Sequence, residues 1–374
     1  MSVIDRLRRS KRLIILDDYF PNLLSGFRIA EYNYYLKEFP QTRIYSLSQE
    51  FDQHFQEYQD IYPGYKNNIE KYDPDAKLKG SLFYTVFINN IFNYLPVIEK
   101  EEIPFVFTLY PAGGFWLNEP ESDNKIQSVC KSRYFKKVIV TQKISRDYLI
   151  EHQFCEPDQI EFIYGGVFPS EYYKQANKKK RKYKSDKETF DICFVAHKYM
   201  EGGKDKGYDT FTAVAKQLVK IVPDIRFHVV GNFDRDEIDV TEIGEKITFY
   251  GMQHLSFFAE FYARMDIILS PNIPFVLYPG NFDGFPTGCC IEAGLSGVAV
   301  FCTDELELNV AFSDRQDIVL IPGAEDGITD LVREYYLDPD SLYKLSEHGK
   351  RTFNEVFSLE HQMQKRVKIF NQFL

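Results

Sequence analysis

The 374 residues lack the patterns by which cysteines hold metals or exchange disulfides. The six cysteines, Cys130, Cys155, Cys193, Cys289, Cys290 and Cys302, contain no Cys-x-x-Cys and no metal spacing. Four of them fall in segments that read as buried, which points to reduced thiols and a cytoplasmic setting. The seven histidines form no ligand-spaced pair, so no structural metal is expected. Long apolar runs are also missing. Stretches such as Asp266 to Ser270 are strand-sized, far short of the ~20 residues that a membrane-crossing helix needs. The opening MSVIDRLRRSKRLIILDD has basic residues followed by an apolar stretch too short for a signal sequence, and it reads as a helical turn or two leading into a first strand. Positive charge is the minority: 45 Lys and Arg against 55 Asp and Glu leave a net −10, which excludes general nucleic-acid binding.

What is abundant is aromatic. There are 33 Phe and 26 Tyr, and an excess of Tyr suits clefts that handle polar rings as well as cores. Apolar residues at 44% and charged residues at 27% are those of a globular protein, and the length suits two domains rather than one. Basic residues concentrate at Arg6 to Arg12 and at Lys178 to Lys187. The second run reads as a solvated linker or as a peripheral contact with an anionic membrane at its inner face.

Strand and helix patterns alternate along the chain. Leu13-Ile14-Ile15-Leu16 reads as a strand, followed by a loop with Ser25-Gly26 and a helix from about Phe27 to Glu38. Further strands are expected at 43–47, 82–88, 105–109, 137–141 and 161–164. The polar, basic segment from Glu171 to Glu188 interrupts this order, which restarts with a strand at Asp191–Val195. A helix is expected over Gly207–Val222, with Phe211, Val214, Ala215, Leu218 and Val222 on one face. Later strands are expected at 226–230, 247–250, 267–269, 298–301 and 318–321. The fold class is therefore α/β, with two Rossmann-like, doubly wound domains facing across a cleft. The expected division is a first domain over 1–172, a basic linker over 173–189 and a second domain over 190–357, with a C-terminal helix at 358–374 packing back on the first.

Chemistry concentrates in FDGFPTGCCIEAGLSGVAVFCTDELELN, from Phe282 to Asn309. A loop rich in Pro and Gly leads into a helix opened by Thr287 and Gly288. Free N–H groups at such a start, with the helix dipole behind them, attract phosphate. Gly284 and Gly288 allow close backbone approach. Glu292, about one turn in, is placed to accept the hydroxyl hydrogens of a ribose diol. Here the sequence resembles the retaining family 4 glycosyltransferases of the GT-B fold. Asp283-Gly284-Phe285-Pro286, Glu292-Ala293 and the Gly297 to Val300 segment carry the likeness. The family has two Glu separated by seven residues; here Asp283 and Glu292 are separated by eight. Lys206-Gly207 stands where the family places its diphosphate-binding lysine, and Ile163 to Val167 resembles the close of its first domain. Where the family has Gly-Arg, this chain has Ala196-His197-Lys198, leaving His197 or Lys198 as the second cation.

The resemblance implies a hexose-type sugar moved from a nucleotide diphosphate donor, with UDP slightly favoured, to a glycan, lipid-linked or protein acceptor. It further implies retention of configuration and no metal or other cofactor. Lys206 and Asp283 would serve the reaction, with Tyr110 near the acceptor. Gly284, Phe285, Pro286, Thr287, Gly288 and Glu292 would hold the donor, joined by His197 or Lys198, by Gly26 in the first glycine loop, and by Met252 near the base. Two rivals share the fold: a nucleotide-sugar 2-epimerase, and a non-catalytic subunit that binds a glycan or a partner enzyme.

Overall fold

The structure, a computed structural model, describes residues 12–176 and 178–374. The basic start from Arg6 to Lys11, expected as a helical turn or two, lies outside the described residues. The chain divides into two compact units, the first ending at Pro169 and regaining Leu359–Leu374, the second spanning Ser170–Ser358.

The first unit holds a parallel sheet of β1 (Leu13–Asp17), β2 (Arg43–Ser46), β3 (Ile69–Lys71), β4 (Leu82–Val86), β5 (Phe105–Leu109), β6 (Phe135–Val140) and β7 (Ile160–Phe162). Their order is β3-β2-β1-β4-β5-β6-β7. Every residue of β1, β4 and β5 is buried, as strands covered on both faces must be. Ile14 pairs with Arg43 on one side and Phe83 on the other, so the order reverses at β1. The helices are α1 (Gly26–Glu38), α2 (Phe51–Ile61), α3 (Ile88–Lys100), α4 (Pro120–Cys130) and α5 (Lys143–Glu151). Strand β3 escapes sequence reading because only Ile69 of its three residues is buried, which leaves no alternation.

The second unit repeats the plan with β8 (Phe190–Val195), β9 (Ile225–Val230), β10 (Ile247–Phe249), β11 (Ile267–Ser270), β12 (Ala299–Cys302) and β13 (Val319–Leu320). These run β10-β9-β8-β11-β12-β13, all parallel. Its helices are α6 (Ser170–Ala176), α7 (Tyr208–Ile221), α8 (Leu255–Arg264), α9 (Gly288–Leu295), α10 (Glu325–Leu337) and α11 (Pro339–Phe357). Phe211, Val214, Ala215 and Leu218 of α7 are buried, as is Val222 just beyond it, in one core with Phe227 and Ile267.

The basic segment departs from a plain polar break. It begins with α6, and most of its positive charges are met by acids of the second unit. Lys178 and Arg181 both reach Glu260, Lys179 pairs with Asp186, and Lys182 with Glu347. Lys187 lies 2.5 Å from both Asp191 and Asp266. Beyond the second unit, α12 (Leu359–Phe370) belongs to the first. Phe370 stacks on Tyr35 of α1 at 4.8 Å. Arg366, wholly buried, stands 3.7 Å from Glu31, which also accepts the hydroxyls of Tyr35 and Tyr84. Burial raises the Glu31 pKa, and the Arg366 charge opposes it. No helix among the described residues is long and apolar enough to cross a membrane.

Candidate functional site

In the second unit the strand order reverses between β8 and β11. Ligands of open α/β sheets bind beyond the carboxyl ends of the strands at such a point. After β8 the chain runs through His197, Lys198 and Tyr199 into a tight turn over Glu201–Lys206, and Gly207 then caps α7. Gly207 has φ +69°, and a Cβ there would stand 1.9 Å from the Pro271 carbonyl oxygen. Only glycine combines that conformation with so close an approach to the end of β11. The turn delivers Lys206, whose side chain is 12% exposed.

Lys206 Nζ donates to both oxygens of Asp283, at 2.8 and 2.7 Å. It lies 3.8 Å from Asp205 and 5.1 Å from the Tyr199 ring centre. Burial works against the ammonium, but Asp283 and Asp205 outweigh it and raise its pKa. Asp283 also accepts from Asn272 Nδ2 at 2.8 Å, and Ser270 Oγ donates to Asn272 Oδ1 at 2.7 Å. The Ser270 and Thr287 hydroxyls lie 3.4 Å apart. Side chains thus link Lys206 to Thr287, the residue that precedes α9. A pocket opens here, lined by Ser270, Asn272, Asp283, Gly284, Thr287 and Thr303 among others. Phe285 is buried and forms a cis bond to Pro286. Neither Gly284 nor Gly288 has positive φ, so backbone conformation does not demand glycine at either.

Glu292 sits one turn into α9. Burial pushes its carboxyl up to about 7, and the Tyr173 hydroxyl of α6 pulls the other way. The sequence does not mark Tyr173, because nothing in a polar, basic segment shows one tyrosine as facing a carboxylate on a helix over a hundred residues later.

The two candidates for a second cation behave differently. Lys198 is paired with Glu237, which also accepts the Gly202 N–H at 2.6 Å. His197 packs edge-on against Tyr199 at 4.7 Å. Burial lowers its pKa and the Lys206 charge lowers it further, so the imidazole is neutral at neutral pH. Met252 is 44% exposed after β10, and no described contact ties it to Lys206 or Asp283. In the first unit, Gly26 opens α1. Tyr110, after β5, turns its hydroxyl inward to within 3.5 Å of Glu31, and its ring packs edge-on against Phe27 at 5.4 Å.

Three Asp-x-Asp triplets, the pairing that would suit a metal-bridged phosphate, occur at 73–75, 234–236 and 338–340. In each, the first carboxylate is bound to a nearby backbone N–H: that of Asp75, Asp236 or Ser341. Among the described residues, no three His, Cys, Asp or Glu side chains gather as a metal site.

Residues 175–352 match the family model described as Glycosyl transferases group 1. Among curated proteins none matches the chain. Solved structures resemble it over nearly its whole length. One is the Anabaena protein Alr3699/HepE in complex with UDP-glucose, with 13% identity, a TM-score of 0.70, and 96% of this chain and 99% of that one covered. A glycosyltransferase from Rickettsia africae gives 16%, 0.70, 97% and 99%. An Escherichia coli structure described as trehalose-6-phosphate, bound with UDP-2-fluoro glucose, gives 10%, 0.65, 97% and 99%. At these identities the likeness is one of fold: two Rossmann-like domains of the GT-B kind, the second matching glycosyl transferases group 1.

Proposed function

We propose that this chain is a glycosyltransferase that takes a hexose-type sugar from a nucleotide diphosphate donor held by its second unit. The observation that carries this reading is the turn that fixes Lys206 at the reversal of the sheet, linked through Asp283, Asn272 and Ser270 to the start of α9. Lys206 and the free N–H groups opening α7 and α9 would share the diphosphate charge. Glu292 would accept from the ribose diol, and Asp283 would face the sugar hydroxyls. Backbone near Gly251 and Met252 would meet the base. UDP is favoured because it is the nucleotide in the similar Anabaena structures.

In the reaction the bond between the sugar and the leaving phosphate breaks, and negative charge builds on the diphosphate. A preorganised ammonium stabilises that charge more than it stabilises the bound donor. With retention, the leaving phosphate would itself take the acceptor's proton, and no side-chain nucleophile is then needed. The acceptor, a glycan, lipid-linked or protein hydroxyl, would engage the first unit.

Thermal unfolding with UDP, GDP and ADP tests the donor reading. The right nucleotide at about 100 times its Kd should stabilise the protein by about 2.7 kcal/mol, and the other two much less. Lys206→Ala should reduce turnover by about 10²–10³-fold, measured as nucleotide released from the matching nucleotide sugar. A folded protein that none of the three stabilises, or a Lys206→Ala variant with full turnover, refutes the reading.

A further inference from the structure

Resting on that donor reading, the pairing of Lys206 with Asp283 raises a question of charge. An ammonium has three hydrogens, and both Asp283 oxygens lie within hydrogen-bond distance of this one. Asp205 stands 3.8 Å away, and no hydrogen bond reaches either of its buried oxygens. His197 is kept neutral, and Lys198 is engaged by Glu237. Without ligand, then, neither Lys206 nor Lys198 carries a spare positive charge, and His197 adds none. A diphosphate entering beside an intact Lys206–Asp283 pair would meet a carboxylate next to the ammonium it needs.

The two partners are unequally held. Lys206 is 12% exposed and issues from a glycine turn pressed against Pro271. Asp283 is 34% exposed, lies in the loop between β11 and α9, and has the Asn272 amide as its other partner. Asp283 is therefore the partner that can move.

We propose that Asp283 is an internal stand-in for the donor's phosphate. In the empty site it neutralises Lys206 and keeps the ammonium extended toward the end of β11. When the donor binds, the diphosphate takes over Lys206 and Asp283 swings away. Its two oxygens are then free to accept hydrogen bonds from the hydroxyls of the donor's sugar. The exchange couples the two halves of the donor: phosphate capture releases the acceptor group that grips the sugar. A nucleoside diphosphate without sugar displaces Asp283 and gains nothing in return.

Calorimetric titration of wild type, Asp283→Asn and Asp283→Ala tests this, using whichever pair wild type prefers among UDP and UDP-glucose, GDP and GDP-mannose, ADP and ADP-glucose. Circular dichroism and thermal unfolding establish that the variants are folded. Both variants should bind the nucleoside diphosphate about tenfold more tightly than wild type, because a like charge has been removed. For the nucleotide sugar that gain should vanish and kcat should fall, because the freed carboxylate is no longer there to hold the sugar. Nucleoside diphosphate affinity that is unchanged or weaker in the variants would overturn the exchange. So would an equal gain for both ligands. A wild type that binds none of the six would instead refute the donor reading itself.

Discussion

At Glu292, burial and ligand binding favour different protonation states. Burial brings its carboxyl to about 7, well above the ordinary 4.5. A carboxyl raised on folding takes up a proton as the chain folds, so its contribution to stability is present below about 4.5 and is lost as pH rises through 7. A ribose diol needs the opposite state, since only the ionised form offers acceptors alone. Affinity for a nucleotide sugar should therefore rise between pH 6 and 8. UDP-glucose suits the measurement because its phosphates keep their charge over this range. Glu292→Gln should flatten both pH dependences and weaken donor binding by about tenfold, the difference between a charge-assisted bond and a neutral one. Retained affinity with wild-type pH dependence would remove Glu292 from the ribose site.

Two elements depend on single residues for their placement. The start of α7 depends on Gly207, where φ is +69° and Pro271 O would meet a Cβ at 1.9 Å. Gly207→Ala must strain the turn or push β11 away, so it should cost about 2 kcal/mol or more in chemical denaturation and reduce turnover through Lys206. Helix α12 depends on Arg366, buried against Glu31. Arg366→Met leaves that carboxylate buried and unpaired, at a cost of about 3–5 kcal/mol. The loss should ease at acid pH, where Glu31 can take a proton, and adding Glu31→Gln should recover much of it. The sequence told of these elements unevenly. The apolar stripe on α7, strand β5 and the opening of α9 at Thr287-Gly288 were legible because period and capping are local. Lys206 and Asp283 were each marked by a motif. Their bond was not, because 77 residues separate them and only the sheet order joins the ends of β8 and β11. Helix α6 and Tyr173 carry no period at all. The inward turn of Tyr110 depends on Glu31 and Arg366, which come from two distant helices.

Across the whole molecule the electrostatic balance runs against an anionic ligand. The net charge is −10, and most of the basic run at 178–187 is paired with acids of its own unit. Binding a diphosphate therefore has to rely on positive potential made locally. Two designs achieve this: a divalent cation held by a pair of carboxylates, or a fixed ammonium with helix N–H groups. In the first, carboxylates near the phosphates must be free to bind metal. Here the Lys206 ammonium already stands beside both carboxylates, Asp283 and Asp205, no three His, Cys, Asp or Glu side chains gather as a metal site among the described residues, and the first carboxylate of each Asp-x-Asp triplet is bound to backbone N–H. In the second, a cation must be delivered rigidly to a helix start, as the Gly207 turn delivers Lys206. The second design is the one these residues favour. Turnover measured as nucleotide release should accordingly stay within about twofold of its starting value in excess EDTA, with no gain from added Mn²⁺ or Mg²⁺. Loss of activity in EDTA that either ion restores would show that a carboxylate here gives up its present partner to a metal, and the charge on the leaving diphosphate would then be met by that ion.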